Sequence, residues 1–170
     1  MRIGVLTGGG DCPGLNAAIR AVVRRAISLN YRVAGIHNGW GGLLGEGSIE
    51  PMGLRSVSGI LPLGGTILGT SRTNPLKKEE HVEQVLTNLK RHSIDALVAI
   101  GGDDTLTVAA RLFEMGANTV GVPKTMDNDV AGTDFTIGFN SSVTIVVDAL
   151  DKLHTTASAH HRVLVVEVMG

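Results

Sequence analysis

Residues 96–105 read Ala96-Leu97-Val98-Ala99-Ile100-Gly101-Gly102-Asp103-Asp104-Thr105, and their pattern decides the fold class. Ala96–Ile100 is apolar on both faces, as befits a strand buried on both sides near the middle of a parallel sheet. Two glycines end it, and Leu106–Met115 follows with helical spacing. A strand that runs through glycines into a helix is one βα unit, and similar units lie to either side. Ile3–Leu6 is a short apolar strand that enters Thr7-Gly8-Gly9-Gly10-Asp11-Cys12-Pro13-Gly14. A helix follows with Ala17, Ala18, Ala21, Val22 and Ala26 on one side. Tyr31–His37 reads as a strand, and Glu79–His92 as a helix with Val82, Val85, Leu86 and Leu89 at helical spacing. Thr119–Val122 reads as a strand, and Ser141–Thr156 as a helix opened by Asn140 or Ser141. Val163–Val168 reads as a last strand. Asn38–Pro75 is glycine-dense and irregular, with a short helix near Gly53–Ile60. Pro123–Thr133 carries neither a helix nor a strand signal.

This alternation predicts an α/β fold, a doubly wound parallel sheet of Rossmann-like type. Composition agrees. The 170 residues are 43% hydrophobic and 18% charged, which suits a packed core and argues against disorder. A net charge of -1 provides no electrostatic case for nucleic acid or an anionic membrane surface. No apolar run approaches the ~18 residues that span a bilayer. The N-terminus reaches its glycines before a signal-peptide core forms. The single cysteine, Cys12, excludes an internal disulfide and fits a reducing cytoplasm; it reads as a packed loop residue, since no base accompanies it. Aromatics are only 3%, while 23 residues are glycine, so the core is expected from Val, Ile, Leu and Ala. The glycines belong where backbone turns tightly or approaches a ligand.

In such sheets ligands bind beyond the carboxyl ends of the strands. The polar loops Gly8–Gly14, Gly101–Thr105 and Pro123–Asp129 all follow strands, so they are expected to line one rim. Gly8-Gly9-Gly10-Asp11 offers backbone N–H groups ahead of a helix and suits a phosphate. It lacks both the dinucleotide-binding spacing and the Gly-Lys-Ser/Thr of a P-loop, and an ordinary tight turn explains it equally well. In Gly101-Gly102-Asp103-Asp104-Thr105, Thr105 is placed to cap the next helix. An acidic residue beside a phosphate cradle suits Mg²⁺. One helix needs one cap, so a second adjacent aspartate points to function. Pro123-Lys124-Thr125-Met126-Asp127-Asn128-Asp129 sets a cation, a hydroxyl and two carboxylates on one loop, as a base and its support would be set in phosphoryl transfer. A solvated loop, or an Asx-turn at Asn128 and Asp129, is the competing reading. Arg72 suits a phosphate, although a lone surface arginine is commoner. His160 and His161, beside Arg162, lack partners at metal-ligand spacing.

These loops, in this order, resemble the phosphofructokinase family. The match runs through Gly4–Asn16, Gly101–Thr105, Pro123–Asp129 and Val165-Val166-Glu167-Val168-Met169-Gly170, and the Thr-x-Asp-Asn-Asp stretch is highly specific. The resemblance implies transfer of a phosphoryl group to the 1-hydroxyl of fructose 6-phosphate, giving fructose 1,6-bisphosphate, in the cytoplasm. By the same resemblance Asp127 would be the general base, Asp129 its support and Asp103 the Mg²⁺ ligand. Gly10, Arg72 and Thr105 would lie at the phosphoryl donor and Thr125 at the substrate. Arg162 would reach the sugar phosphate of a neighbouring subunit in a homo-oligomer, and Met169 and Gly170 would line the sugar site.

Asp104 and Lys124 bear on the donor. ATP-using members of the family usually carry glycine at both positions, and the pyrophosphate-using branch resembles this chain. A carboxylate about 4 Å from an α-phosphate costs about 4 kcal/mol at an effective dielectric near ~20, roughly a thousandfold against ATP. Lys124 would offer its charge to the pyrophosphate being cleaved. Pyrophosphate is therefore the expected donor, with ATP as the alternative. Family subunits are about twice this length. Residues 1–140 are expected to be the donor-binding domain and 141–170 the beginning of the sugar-phosphate domain. Two other readings remain: a nicotinamide or lipid kinase, whose relatives share a Gly-Gly-Asp-x-Thr loop but lack the Lys124–Asp129 pattern, and an inactive phosphate-binding fragment.

Overall fold

A computed structural model describes residues 1–169. At its centre β1 (Arg2–Thr7) pairs in parallel with β2 (Arg32–Ile36) on one side and β4 (Ala96–Gly101) on the other. The sheet has six strands in the order β3-β2-β1-β4-β5-β6. All neighbours are parallel except β3 (Ile49–Met52), which pairs antiparallel to β2 at the edge. The strand β5 (Thr119–Thr125) pairs with β4, and the two-residue β6 (Ile137–Gly138) pairs with β5. The α/β architecture with a central, parallel β4 is therefore as the sequence predicts.

Alternation along the strands divides the core. Leu6, Leu97 and Ala99 point to one face, where α2 (Glu79–Arg91) and α3 (Asp103–Glu114) bury Val85, Leu89, Val108 and Leu112. Val5 and Ile100 point to the other face, against Leu15, Ile19, Val23 and Ala26 of α1 (Leu15–Ser28) and Leu68 of the irregular stretch that follows β3. Successive strand residues serving opposite layers is what a sheet covered on both faces requires.

Several expectations need correction. The buried stripe of α1 is Leu15, Ile19, Val23 and Ala26; Ala21 is exposed and Ala17 half-buried, because the larger side chains exclude more water per residue. Residues 53–60 form turns rather than a helix. The strand β3 lay inside the stretch expected to be irregular; it is short and carries Pro51, which an edge strand tolerates. Lys124 and Thr125 belong to β5 rather than to a loop, and α3 begins at Asp103 rather than Leu106. The last helix, α4 (Phe139–His160), is opened by Gly138 with no side-chain cap, not by Asn140 or Ser141. Residues 162–169 pair with no strand, and Val163 and Val165 are 93% and 92% exposed. Among the described residues no helix is long and apolar enough to cross a membrane.

Candidate active site

The carboxyl ends of β1, β4 and β5 lie side by side, and the loops leaving them open onto one cleft of about 560 Å³. Gly10, Asp103, Asp104, Thr105, Lys124, Thr125, Asp127, Arg72 and Met169 all line it. The predicted rim is thus assembled, with Arg72 brought in from the long loop between β3 and α2. Asp129 and Arg162 do not line the cleft; both are exposed. Gly170 lies outside the described residues.

The glycine run behaves differently from a bare cradle of amides. The Gly8 N–H donates to the Ile100 carbonyl at 2.9 Å and that of Gly9 to the Ser71 carbonyl at 3.0 Å. The Gly10 N–H has no partner among the described residues. A Cβ on Gly10 would meet nothing within 4 Å, so this position is open to the cleft. The helix α1 starts only at Leu15. The helix N-terminus that reaches the cleft is that of α3, at Gly102 and Asp103, and its dipole favours anionic groups.

Thr105 is not a cap. Gly102 holds the N-cap position with no side-chain hydrogen bond, and Thr105 is buried inside the first turn. Its side chain fills the space between two strand ends. A Cβ on Gly101 would come within 2.5 Å of Thr105 Cβ, and one on Gly8 within 2.6 Å of its Oγ1. Close approach, rather than ligand binding, accounts for both glycines. Asp103 and Asp104 cap nothing, make no ion pair among the described residues and stand exposed on the rim.

Lys124 is 4% exposed, and its Nζ donates to the Gly10 carbonyl, tying the β5 end to the β1 loop. Burial pulls its ammonium below the usual lysine value, while Cys12, Asp11 and Asp127 act in the opposite direction. Burial likewise pushes the Cys12 thiol up, against the pull of Lys124 and with a further push from Asp11 and Asp127. Cys12 is a packed residue, as expected. Asp127 is exposed on the cleft wall, its N–H donating to Thr125 Oγ1 at 3.1 Å. Asn128 adopts φ 54° and pins the loop from within. Its Oδ1 accepts from the Thr136 N–H at 2.9 Å, and its Nδ2 donates to the Asp134 carbonyl at 3.2 Å. Of the three residues Asp127-Asn128-Asp129, then, one faces the cleft and one holds the loop.

Sequence reading missed Asp11, whose exposed carboxylate lies on the rim one residue beyond Gly10. It also missed Trp40, which lines the cleft and is buried, its indole N–H without a partner among the described residues. Adjacency to Gly10 was the available signal for Asp11. Trp40 gave none, because its place depends on how the 3₁₀ helix Gly39–Leu44 packs. Among the described residues no three His, Cys, Asp or Glu side chains converge as a metal cage.

Comparison with known proteins adds to this geometry. Residues 2–170 match the family described as Phosphofructokinase. The chain is 57% identical over its whole length to the pyrophosphate–fructose 6-phosphate 1-phosphotransferase of Amycolatopsis mediterranei (strain S699), covering 50% of that protein. It is 52% identical over 99% of its length to the ATP-dependent 6-phosphofructokinase of Oceanobacillus iheyensis, covering 53% of it. The structure of phosphofructokinase from Saccharomyces cerevisiae superposes with a TM-score of 0.80 at 36% identity, over 95% of this chain and 25% of that one. The chain spans about half the length of the curated relatives it matches.

Proposed function

Because the chain belongs to the phosphofructokinase family, we propose that its cleft is the donor side of a 6-phosphofructokinase that passes a phosphoryl group from pyrophosphate to the 1-hydroxyl of fructose 6-phosphate. The observation that carries this reading is the meeting of Gly10, Arg72, Asp103, Asp104, Lys124 and Asp127 on one cleft. Gly10 and Arg72 bind the phosphoryl donor, with Thr105 shaping the floor beneath it. Asp127 takes the proton from the sugar hydroxyl as it attacks. Thr125 and Met169 contact the substrate. Asp129, Arg162 and Gly170 act outside the cleft as it stands here, Asp129 in support of Asp127 and Arg162 toward a neighbouring subunit of a homo-oligomer.

The donor set fits Mg²⁺. This ion is held by one or two carboxylates together with substrate phosphates rather than by an all-protein cage. Asp103 is an exposed carboxylate on the rim, and no tighter cluster surrounds it among the described residues. Bound with the diphosphate, Mg²⁺ would neutralise charge on its oxygens. Lys124 supplies a cation beside Gly10, and Asp104 disfavours the extra phosphate and nucleoside of ATP. The similarity to pyrophosphate-using relatives supports that choice. ATP is the second reading, favoured by the 52% identity to an ATP-dependent relative.

The domain division follows the same reading. Both core clusters are built from residues up to Met126, while α4 buries only Ser142. Residues 1–140 form the donor-binding domain and 141–170 begin a sugar-phosphate domain. The reaction places the enzyme in glycolysis, in the cytoplasm. Steady-state kinetics of the full-length protein test this. Pyrophosphate with Mg²⁺ should support turnover better than ATP, and Asp127→Ser should lower kcat by about 10²–10⁴ with fructose 6-phosphate affinity retained. Equal or higher kcat/KM with ATP would reverse the donor assignment, and a near-normal kcat in Asp127→Ser would remove its role as base.

A further inference from the structure

Arg72 stands on residues 53–74, a stretch with neither strand nor α-helix. Such a stretch has no backbone ladder to fix it, so side chains from elsewhere must. Besides the Asn38 N–H, which donates to the Leu68 carbonyl at 2.9 Å, and the exposed Glu46 carboxylate, which accepts from Thr73 Oγ1 at 3.1 Å, two buried side chains do so, and both come from the β1–α1 unit. Asn16, 2% exposed, lies in the first turn of α1, where a longer straight-chain residue would favour the helix more. Its Nδ2 donates to the Leu63 and Gly64 carbonyls at 3.2 and 3.1 Å, and its Oδ1 accepts from the Ile67 N–H at 2.8 Å. Thr7, wholly buried at the end of β1, donates to the Gly69 carbonyl at 2.8 Å and shares a hydrogen bond with Thr66 Oγ1 at 2.8 Å. The stretch then meets the glycine turn directly. The Gly9 N–H donates to the Ser71 carbonyl, and Thr70 Oγ1 donates to the Gly9 carbonyl at 2.7 Å.

We propose that Asn16 and Thr7 are positioning residues for the phosphoryl donor: they hold residues 63–71 against the Gly8–Gly10 turn, so that Arg72 and Gly10 stand on one rigid unit at the cleft. This rests on the reading that Gly10 and Arg72 bind the donor. Neither residue lines the cleft, so neither touches the reacting groups. Among the described residues their side-chain polar atoms are satisfied only by this stretch of loop, which makes the loop's position and their burial one condition.

Amide exchange followed by NMR on the chain reads the first half of the claim. Asn16→Ala and Thr7→Val should each raise exchange at Ile67, Leu68, Gly69 and Gly9 by about tenfold or more. The β4–β5 ladder amides should keep their rates, and Thr7→Ser, which retains the hydroxyl, should restore protection. Unchanged exchange, or an equal rise throughout the sheet, overturns the proposal. Titration with magnesium pyrophosphate, read by the fluorescence of the single tryptophan Trp40, tests the second half. Asn16→Ala should weaken binding about tenfold with Arg72 present and by less than about twofold in an Arg72→Ala background, because coupled residues are not additive. Additive losses overturn it. Failure of the unsubstituted chain to bind magnesium pyrophosphate counts against the donor reading, and exchange alone then decides whether the stretch is held. If Asn16→Ala does not fold, Thr7→Val and Thr7→Ser carry both measurements.

Discussion

Lys124 and Asp104 carry the charge of the cleft in opposite ways. The Lys124 ammonium is buried, and burial lowers its pKa from the ordinary lysine value of 10.5. Between the lowered value and the ordinary one, the unfolded chain binds more protons than the folded chain, so folding stability rises with pH across that window. Below it the burial penalty is present in full. Lys124→Met carries no such penalty. In a Cys12→Ser background, which removes the neighbouring thiol, the urea midpoint of the Lys124 protein minus that of Lys124→Met should increase as pH rises toward the ordinary lysine value. A difference flat in pH would mean that Lys124 is not buried as a cation. Asp104 is exposed, so solvent screening reduces its effect on ATP from roughly a thousandfold to about fivefold or less. Asp104→Gly should tighten ATP binding by that smaller factor. Calorimetric titration measures it, and a change approaching a thousandfold would mean that water leaves the site on binding.

At the scale of elements, the junction of β1, β4 and α3 is organised around one side chain. Thr105 fills the gap between Gly8 and Gly101, and the two glycines differ in what a methyl group would strike. At Gly8 the close atom is Thr105 Oγ1, while Thr105 Cβ is 3.4 Å away; at Gly101 the Cβ itself is at 2.5 Å. Gly8→Ala and Gly101→Ala should each destabilise the fold by about 1–3 kcal/mol. Thr105→Ala should rescue the first and leave the second unrescued, since truncation removes Oγ1 and Cγ2 but not Cβ. Urea denaturation of the three single and two double variants measures this. Equal rescue of both would show that Oγ1 and Cγ2 of Thr105, not its Cβ, set the clash at Gly101.

At the scale of the whole molecule, two regions differ in how their apolar residues are used. The sheet and its helices bury theirs in two clusters. Along α4, Val143, Ile145, Val147, Leu150 and Leu153 are exposed, as are Val163 to Val166. Exposed apolar surface of this kind favours association. A 170-residue chain prepared alone should form oligomers in sedimentation experiments, and Val147→Lys with Leu150→Lys should shift it toward monomer. It should show no measurable turnover with pyrophosphate, fructose 6-phosphate and Mg²⁺ in a coupled assay, because catalysis needs two anionic substrates positioned across a cleft. Robust turnover by a monodisperse chain would show that the described residues suffice.

The sequence by itself determined the α/β class, the parallel centre at Ala96–Ile100, the three strand-end loops and their shared rim. Each rests on a local signal, namely apolar runs, helical spacing and glycines at strand ends, which neighbouring residues alone produce. Only the tertiary structure decided which glycine amide stays free, that Thr105 packs rather than caps, that Asp127 faces the cleft while Asp129 does not, and that Arg72 joins the rim. These depend on partners far apart in the chain. Lys124 and Gly10 are 114 residues apart, and Asn16 and Ile67 are 51. Whether a polar group is spent on structure or left for a ligand is fixed by such distant contacts, and local pattern carries no record of them.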